Sequence, residues 1–163
     1  MPRLWRRPAA RKQAVVVERI GAFRTVSVGA YADDMAHPRM YDPVDPLLGR
    51  VREIALALPG AAEKESHGRP AFFTQKVFAY FGGSIRIDGD WVAHDHAIVF
   101  FPDPEERPAL EADDRIWIPA YLGPYGWLGL DLSSDSDFDE VAELLEVSYR
   151  MTAPTRLVAS LDD

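Results

Sequence analysis

The stretch Tyr121-Leu-Gly-Pro-Tyr-Gly-Trp-Leu-Gly-Leu130 carries the clearest structural signals in this sequence. Gly123-Pro124 and Gly126 predict a turn, because glycine adopts positive φ angles freely and proline fixes φ at about −65°. The leucines at positions 128, 130 and 132 recur at every second residue, which is typical of a strand with one buried face. The sequence therefore predicts an aromatic turn that leads into a buried strand.

The aromatic side chains of this stretch allow two interpretations. Tyr121, Tyr125 and Trp127 either pack into a corner of the core or form a wall that faces a ligand. Aromatic clusters usually belong to a core, and we expect Trp127 to be largely buried where the turn meets the first helix. None of the three is an obvious nucleophile or metal ligand, so the stretch informs on architecture rather than on catalysis.

Composition restricts the class of protein. The chain has 163 residues, of which 47% are apolar, so one domain with a substantial core is expected. It contains no cysteine, which excludes disulfides, thiolate zinc sites and cysteine catalysis. No apolar run has the length of a membrane span or of a secretory signal. We therefore predict a cytoplasmic protein without membrane association, present as a monomer or a weak homodimer.

The charge is divided unevenly along the chain. The formal net charge is −8, but residues 1–40 contain eight Lys/Arg and three Asp/Glu, a charge of +5. Residues 41–163 contain ten Lys/Arg and 23 Asp/Glu, a charge of −13. This division predicts a basic N-terminal extension, residues 1–40, followed by a domain of different character, residues 41–163.

Two interpretations of the extension stay open. It is either a basic arm that binds polyanions or a poorly ordered segment that precedes a native start near Met40. Its strand-like run, from Ala14 to Val28, has no evident partner, and a Pro- and Asp-rich stretch from His37 to Pro46 separates it from the periodic sequence. We expect residues 1–40 to be dispensable for folding.

Residues 41–163 predict an α+β fold. Asp45 followed by Pro46 is typical of a helix start, and Asp137 is expected to cap a later helix. Residues 84–96 are polar and irregular, so no strand is predicted there. The expected helices cover residues 46–58, 104–112, 138–153 and 155–161, and the expected strands cover 71–74, 77–81, 97–101 and 127–132. This order favours an antiparallel sheet with the helices packed on one face.

Two histidine-containing segments are candidates for chemistry. His94 and His96 point the same way on a strand, but a metal site needs three or four ligands and no third is identifiable. In Ser66-His67 the two side chains point to opposite faces of a strand, which disfavours nucleophilic activation. His67 is then either a general base or, more commonly, a residue packed beneath the turn at Trp127. We predict no catalytic residue, no metal and no cofactor, and a protein that is not an enzyme.

Three blocks of the sequence are similar to one protein family. They are Leu58-Pro-Gly-Ala-Ala-Glu-Lys-Glu-Ser-His-Gly-Arg-Pro-Ala-Phe72 with Lys76-Val-Phe-Ala-Tyr80, the stretch from Pro119 to Leu130, and the stretch from Ser148 to Val158. In this order they resemble MmcQ/YjbR-like proteins, over about residues 46–161 and without residues 1–40. The resemblance implies a CyaY-like α+β fold with a double-wing mode of DNA binding. This chain has Thr155 before Arg156 where the family often has Lys, so one basic charge is absent.

Two functions remain as alternatives. The resemblance favours a DNA-binding module, although a domain of charge −13 repels a polyanion unless its basic residues cluster. The candidates for phosphate contacts are Lys64, Arg69, Lys76, Arg86 and Arg156. The charge favours a small-molecule or protein-interaction module with an aromatic cleft. The candidate lining residues of that cleft are His67, Phe72, Phe78, Tyr121, Tyr125 and Trp127, with Arg69 as a further polar anchor.

Overall fold

The computed structural model describes residues 15–19, 22–26 and 37–163, and it divides the chain into two compact units with the boundary between Pro38 and Arg39. In the first unit, β1 (Val15–Arg19) and β2 (Ala22–Val26) form an antiparallel two-stranded sheet. The register pairs the first residue of β1 with the last residue of β2. The strand-like run of the extension therefore supplies both strands of one hairpin.

The second unit has the α+β architecture that the sequence predicts. Its strands are β3 (Ala62–Ser66), β4 (Arg69–Phe73), β5 (Val77–Ile87), β6 (Asp90–Phe100), β7 (Ile116–Trp117) and β8 (Leu128–Asp131). Its helices are α1 (Pro46–Leu56), α2 (Arg107–Glu111), α3 (Phe138–Thr152) and α4 (Thr155–Leu161), and a 3-10 turn covers Gly123–Tyr125. The six strands form one antiparallel sheet in the order β3-β4-β5-β6-β8-β7. In the described part of the chain, none of the helices combines the length and the hydropathy needed to cross a bilayer.

Local hydrogen bonds fix the starts of the two long helices. Asp45 accepts a hydrogen bond from the backbone N–H of Leu47 at 2.9 Å, before α1. Asp137 accepts one from the backbone N–H of Asp139 at 3.0 Å, before α3. Both predicted helix starts are confirmed. Such caps can be predicted from sequence, because they involve only residues that are close together in the chain. The helix expected over residues 104–112 is shorter than predicted, because a turn precedes α2.

The prediction of an irregular segment over residues 84–96 is wrong. β5 and β6 continue through this segment and form a long hairpin around the turn at Asp88-Gly89. A β-bulge shifts the register between Phe81 and Gly83, and such an insertion breaks the two-residue period by which a strand is recognised in a sequence. Beyond the bulge the two strands pair only with each other, so the end of the hairpin extends past the rest of the sheet.

One face of the sheet packs against the helices. The cross-strand partners Ile98 and Leu130 lie in this core, together with the next pair, Phe100 and Leu128. Because partners on neighbouring strands point to the same side, these pairs define the helix-facing side of the sheet. The side chains of this core with no exposed surface are Leu48, Val51, Ala55, Phe72, Phe78, Ala79, Ile98, Phe100, Leu128, Leu145 and Tyr149.

An aromatic layer covers the opposite face of the sheet. The indole of Trp117 lies against Gly129, where an added Cβ would be 2.4 Å from the Cε2 atom of the indole. Trp127 has no exposed surface, and its ring contacts the rings of Tyr80 and Phe101 at centroid distances of 5.7 and 5.8 Å. The predicted burial of Trp127 is confirmed. Its predicted position against the first helix is wrong, because Trp127 lies outside the core that contains α1.

Candidate functional site

Most arginines of the second unit have a carboxylate partner. Arg52 donates two hydrogen bonds of 2.8 Å to Glu63, and Arg115 contacts Asp113 and Glu140 at 2.8 Å each. The hydrogen bonds from Arg115 hold the pKa of Asp113 below its usual value. Among the residues of the second unit, the basic side chains without an ion pair are Lys64, Lys76, Arg86 and Arg156. All four are predicted DNA contacts.

The fifth predicted DNA contact, Arg69, lies inside the protein. Arg69 is only 8% exposed, and its Nη2 donates a hydrogen bond of 3.0 Å to Asp95. Its guanidinium packs against Gly82, where an added Cβ would be 2.3 Å from the Nη1 atom. Gly82 has a φ of 82°, which glycine adopts without strain. The absence of a side chain at this position also allows the close approach of Arg69. The buried guanidinium of Arg69 is thus committed to an ion pair with the half-exposed Asp95 and is not itself available at the surface.

Three of the four unpaired basic side chains lie at one end of the sheet. The Nζ atom of Lys64 lies over the ring of Phe73, 4.7 Å from its centroid, and Lys76 is in the turn that follows Phe73. Arg156 belongs to α4, and its neighbour Leu157 packs against the loop that precedes β3. Lys64 pairs with Ala71 and so lies on the face of the sheet away from the helices, whereas Arg156 lies in the helix layer. We refer to Lys64, Lys76 and Arg156, which lie around this end of the sheet on both of its sides, as the basic patch.

The acidic residues next to Lys64 are already neutralised. Glu63 is held by Arg52, and Glu65 accepts a hydrogen bond from Arg39 at 3.3 Å. These pairs are partly exposed, so each contributes little to stability, but each removes a negative charge from the surroundings of Lys64. The potential at the basic patch is therefore less negative than the net charge of the domain suggests.

Arg86 lies far from the basic patch. Arg86 lies ten residues beyond Lys76, which directly precedes β5. At about 3.3 Å per residue along a strand, the Cα atoms of the two residues are roughly 33 Å apart. The guanidinium of Arg86 lies over the ring of Trp91, 5.4 Å from its centroid. Arg86 therefore belongs to a different surface, at the end of the β5–β6 hairpin.

Exposed aromatic side chains accompany Arg86 on this hairpin. Trp91 is 50% exposed and Tyr121 is 76% exposed, and their ring centroids are 5.6 Å apart. The backbone N–H of Ala120 donates a hydrogen bond of 2.9 Å to the carbonyl of Ser84, which holds the aromatic turn against the hairpin. Tyr121 has a φ of 64°, in the left-handed region that favours glycine. Arg86 and its cross-strand partner Trp91 point to one face of the hairpin, and Ile87 and its partner Asp90 point to the other. We refer to the side chains around the end of the hairpin as the hairpin surface; they are Arg86, Ile87, Asp88, Asp90, Trp91 and Tyr121.

The predicted lining residues of an aromatic cleft are placed in three locations. His67 lies in the turn between β3 and β4, at one edge of the sheet, whereas the two tyrosines follow β7, at the other edge. The remaining three residues have no exposed surface and belong to the interior; they are Phe72, Phe78 and Trp127. The open cleft beside β8 is lined by other residues.

An open cleft of about 630 Å³ lies beside β8 and the start of α3. The rings of His94 and Trp117 stack there with their centroids 4.2 Å apart, and the Nδ1 atom of His94 is 2.7 Å from Asp131. Within residues 37–163, the Nε2 atom of His94 and the Nε1 atom of Trp117 are buried without a hydrogen-bond partner. The carboxylates that line this cleft are Asp114, Asp131, Asp135, Asp137 and Glu140.

Trp117 is one of the cleft residues that the sequence did not identify. The available signal was Gly129, since a glycine inside a strand often marks the close approach of another group. His96 does not share a site with His94, because its Nε2 atom is 2.8 Å from Asp45 at the start of α1. The described residues contain no group of three or more His, Asp or Glu side chains placed to hold a metal ion.

The three blocks of family resemblance can now be placed on the fold. They cover the loop and strands around the basic patch, the aromatic turn with β8, and the end of α3 with the start of α4. The family model of YjbR matches residues 56–151, which is more than half of the chain. The chain matches no curated protein. The matched region runs from the end of α1 to the last turn of α3 and so contains the whole six-stranded sheet. The chain therefore belongs to the YjbR family.

Proposed function

We propose that the chain is a non-enzymatic binding module of the YjbR type that binds DNA through the basic patch. One observation carries this proposal: Lys64, Lys76 and Arg156 lie at one end of the sheet, and none of them has an ion pair within the described chain. Basic side chains that the protein leaves unpaired are free to neutralise phosphates and to release counterions from DNA. Arg69 plays no part in the proposed contact, because its charge is internal.

The charge of the domain sets the expected strength of binding. A net charge of −13 over residues 41–163 repels DNA at long range, but the screening length at physiological salt is only about 8 Å. Contacts between the patch and phosphates are shorter than this length and survive screening better. Phosphate contacts carry no sequence information by themselves. We therefore propose weak binding to duplex DNA without sequence preference.

Fluorescence anisotropy with a short labelled duplex at low salt tests the proposal. We expect Lys64→Ala, Lys76→Ala and Arg156→Ala each to weaken binding, because each removes one phosphate contact. Arg86→Ala is the matched control, since it removes an equally unpaired charge roughly 33 Å away along β5. An effect of Arg86→Ala as large as that of the three patch substitutions would contradict the assignment of the patch.

The basic N-terminal segment needs its own control. Residues 1–40 carry a charge of +5 and attract DNA whatever the patch does. The same titrations are therefore repeated with residues 39–163, the second compact unit. Binding that persists in this shorter chain and still responds to Lys76→Ala supports the patch. Binding that disappears with the segment assigns the activity to the segment instead.

A second candidate function is the binding of a small organic cation in the cleft beside β8. The observation that favours it is the buried Nε2 atom of His94, which has no hydrogen-bond partner among residues 37–163 and can accept a hydrogen bond from an amine when Nδ1 donates to Asp131. Carboxylates outnumber basic groups in the lining, so a cationic ligand is the compatible class. Titration with a panel of small amines, followed by the indole N–H signal of Trp117 in NMR spectra, tests it. A Trp117 signal that no amine shifts would contradict this candidate.

A further inference from the structure

We propose that the hairpin surface is a contact between two copies of this chain. This surface surrounds the end of a hairpin that extends past the rest of the sheet, with Arg86, Trp91 and Tyr121 on one face and Ile87 and Asp90 on the other. The inference does not depend on the proposed DNA binding, because the basic patch lies at the other end of β5.

The hairpin surface exposes aromatic rings. A fully buried aromatic side chain removes about 150–250 Å² from water, and half or more of the Trp91 and Tyr121 side chains remains exposed. Ile87, next to the hairpin turn, is also 51% exposed. Aromatic side chains and arginine are enriched at protein interfaces relative to the rest of a protein surface. The composition of the hairpin surface is therefore that of a contact area.

The backbone of Tyr121 adopts an unusual conformation. A non-glycine residue with a φ of 64° is uncommon, and an aromatic residue in this region costs of order 1–3 kcal/mol unless surrounding contacts compensate. The neighbouring Ala120 is fixed by its backbone hydrogen bond to Ser84, and the ring of Tyr121 contacts that of Trp91. The strained backbone thus presents the aromatic pair to the outside, and a backbone that is already ordered lowers the entropy cost of a contact.

The charged groups of the hairpin surface favour a second copy of this chain as the binding partner. Among the described residues, Arg86 has no ion pair, and neither has Asp88 in the hairpin turn nor Asp90 on the opposite face of the hairpin. A two-fold contact places the same surface on both sides, so one cation and its neighbouring anions on each copy can pair reciprocally. A nucleic acid would be repelled by Asp88 and Asp90, and a purely basic partner would leave Arg86 unpaired. A second copy satisfies both signs of charge.

The area of the surface sets the strength of the contact. A stable interface buries about 800 Å² on each partner, which is more than a few exposed side chains supply. Self-association is therefore expected to be weak, in about the micromolar range or above. The negative net charge of each copy opposes association and limits its strength further.

Sedimentation equilibrium of the full chain over a concentration series tests the proposal. We expect the average mass to rise above the 18.3 kDa of one chain as concentration increases. Trp91→Ala is expected to weaken association at least about tenfold, because a central aromatic contact is removed. Val44→Ala is the matched control, since Val44 is an exposed apolar residue, 81% accessible, that lies before α1. Circular dichroism of each variant checks that it is folded.

Charge reversal provides a second, independent test. Arg86→Glu makes the charged groups of the surface uniformly negative, and Asp88→Lys with Asp90→Lys makes them uniformly positive, so each variant alone is expected to lose self-association. An equimolar mixture of the two is expected to form a mixed dimer. A chain that stays monomeric at every concentration, or an association unchanged in Trp91→Ala and in both charge variants, would overturn the proposal.

Discussion

At the scale of single residues, the opposite face of the sheet depends on the absence of a side chain at Gly129. The indole of Trp117 occupies the space that a Cβ at this position would take, and the same ring stacks on His94 at the cleft. The glycine therefore determines both the packing of this face and the shape of the cleft. Close-packed interiors accept even one additional methyl group poorly.

We expect Gly129→Ala to destabilise the protein by about 1–3 kcal/mol, because the new Cβ would be 2.4 Å from the indole of Trp117. Gly49→Ala is the matched control: Gly49 lies in α1, and an added Cβ meets nothing within 4 Å. This control should gain about 0.5–1 kcal/mol from helix propensity. Urea unfolding measures both. Equal stability of the two variants would contradict the packing described here.

We expect Trp127→Ala to lower the free energy of unfolding by about 3–5 kcal/mol, since it removes a fully buried indole that contacts Tyr80 and Phe101. Trp91→Ala, at a half-exposed position, serves for comparison and should cost much less. Thermal unfolding followed by circular dichroism measures the difference. An unchanged melting temperature for Trp127→Ala would show that its burial contributes nothing.

At the scale of elements, α3 joins parts of the fold that are distant in sequence. The hydroxyl of Ser148 donates to the carbonyl of Phe78 in β5 and accepts from the backbone N–H of Phe101 after β6. The next residue, Tyr149, donates from its hydroxyl to the carbonyl of Pro59 at 2.6 Å, which fixes the loop between α1 and β3. One turn of α3 thus positions the end of the sheet that carries the basic patch.

Tyr149 should make stability fall at alkaline pH. Burial raises the pKa of its phenol above the usual value of about 10. The pKa of Tyr149 is therefore higher in the folded than in the unfolded state. The stability that its neutral phenol contributes is fully present below the unfolded pKa and is lost as pH rises through the folded pKa. Tyr149→Phe lacks the ionisable group, so its free energy of unfolding should decline less above about pH 10 than that of the wild type.

Urea unfolding over an alkaline pH series measures the effect of Tyr149. Tyr41, whose pKa is also raised by partial burial, is retained in all variants and contributes equally to each. Parallel pH profiles for the wild type and Tyr149→Phe would contradict the account of this residue.

The sequence predicted those elements whose signals are local. The caps at Asp45 and Asp137 involve residues only two positions apart, and both helix starts are confirmed. The continuation of the β5–β6 hairpin was missed because the bulge near Gly83 disrupts its alternating pattern. The cleft was missed for a different reason: Gly129 signals the close approach of some group, but the group is Trp117 on another strand, which the local sequence does not identify.

The same distinction applies to the predicted site residues. The sequence identified five basic candidates, but only tertiary structure determines which of them are neutralised. Arg69 is paired with Asp95, a residue that is distant in sequence, whereas Lys64 is flanked by two carboxylates that other arginines neutralise. Net charge alone therefore gave a poor estimate of the local potential.

At the scale of the whole molecule, the chain consists of a basic segment and an acidic domain. Among the described residues of the segment, β1 and β2 form a two-stranded sheet, and such a sheet by itself is of marginal stability. The division into compact units falls between Pro38 and Arg39, close to the change in charge. That residues 1–40 are dispensable for folding stays a prediction.

A chain that begins at Met40 should melt cooperatively and within a few degrees of the full chain. It loses the exposed pair between Arg39 and Glu65, and such pairs contribute about 0–1 kcal/mol. Differential scanning calorimetry of both chains measures this. Aggregation or loss of the cooperative transition in the shorter chain would show that the segment contributes to the fold of the domain.

The central claim is that an acidic YjbR domain binds DNA through Lys64, Lys76 and Arg156. The most direct test is the salt dependence of DNA affinity for residues 39–163, measured by anisotropy in the original and in the triple-alanine variant. With three phosphate contacts, log K against log[salt] should have a slope of about −2.7, and the triple variant should lose this dependence and most of its affinity. An identical slope in both proteins, or no binding at low salt, would contradict the claim.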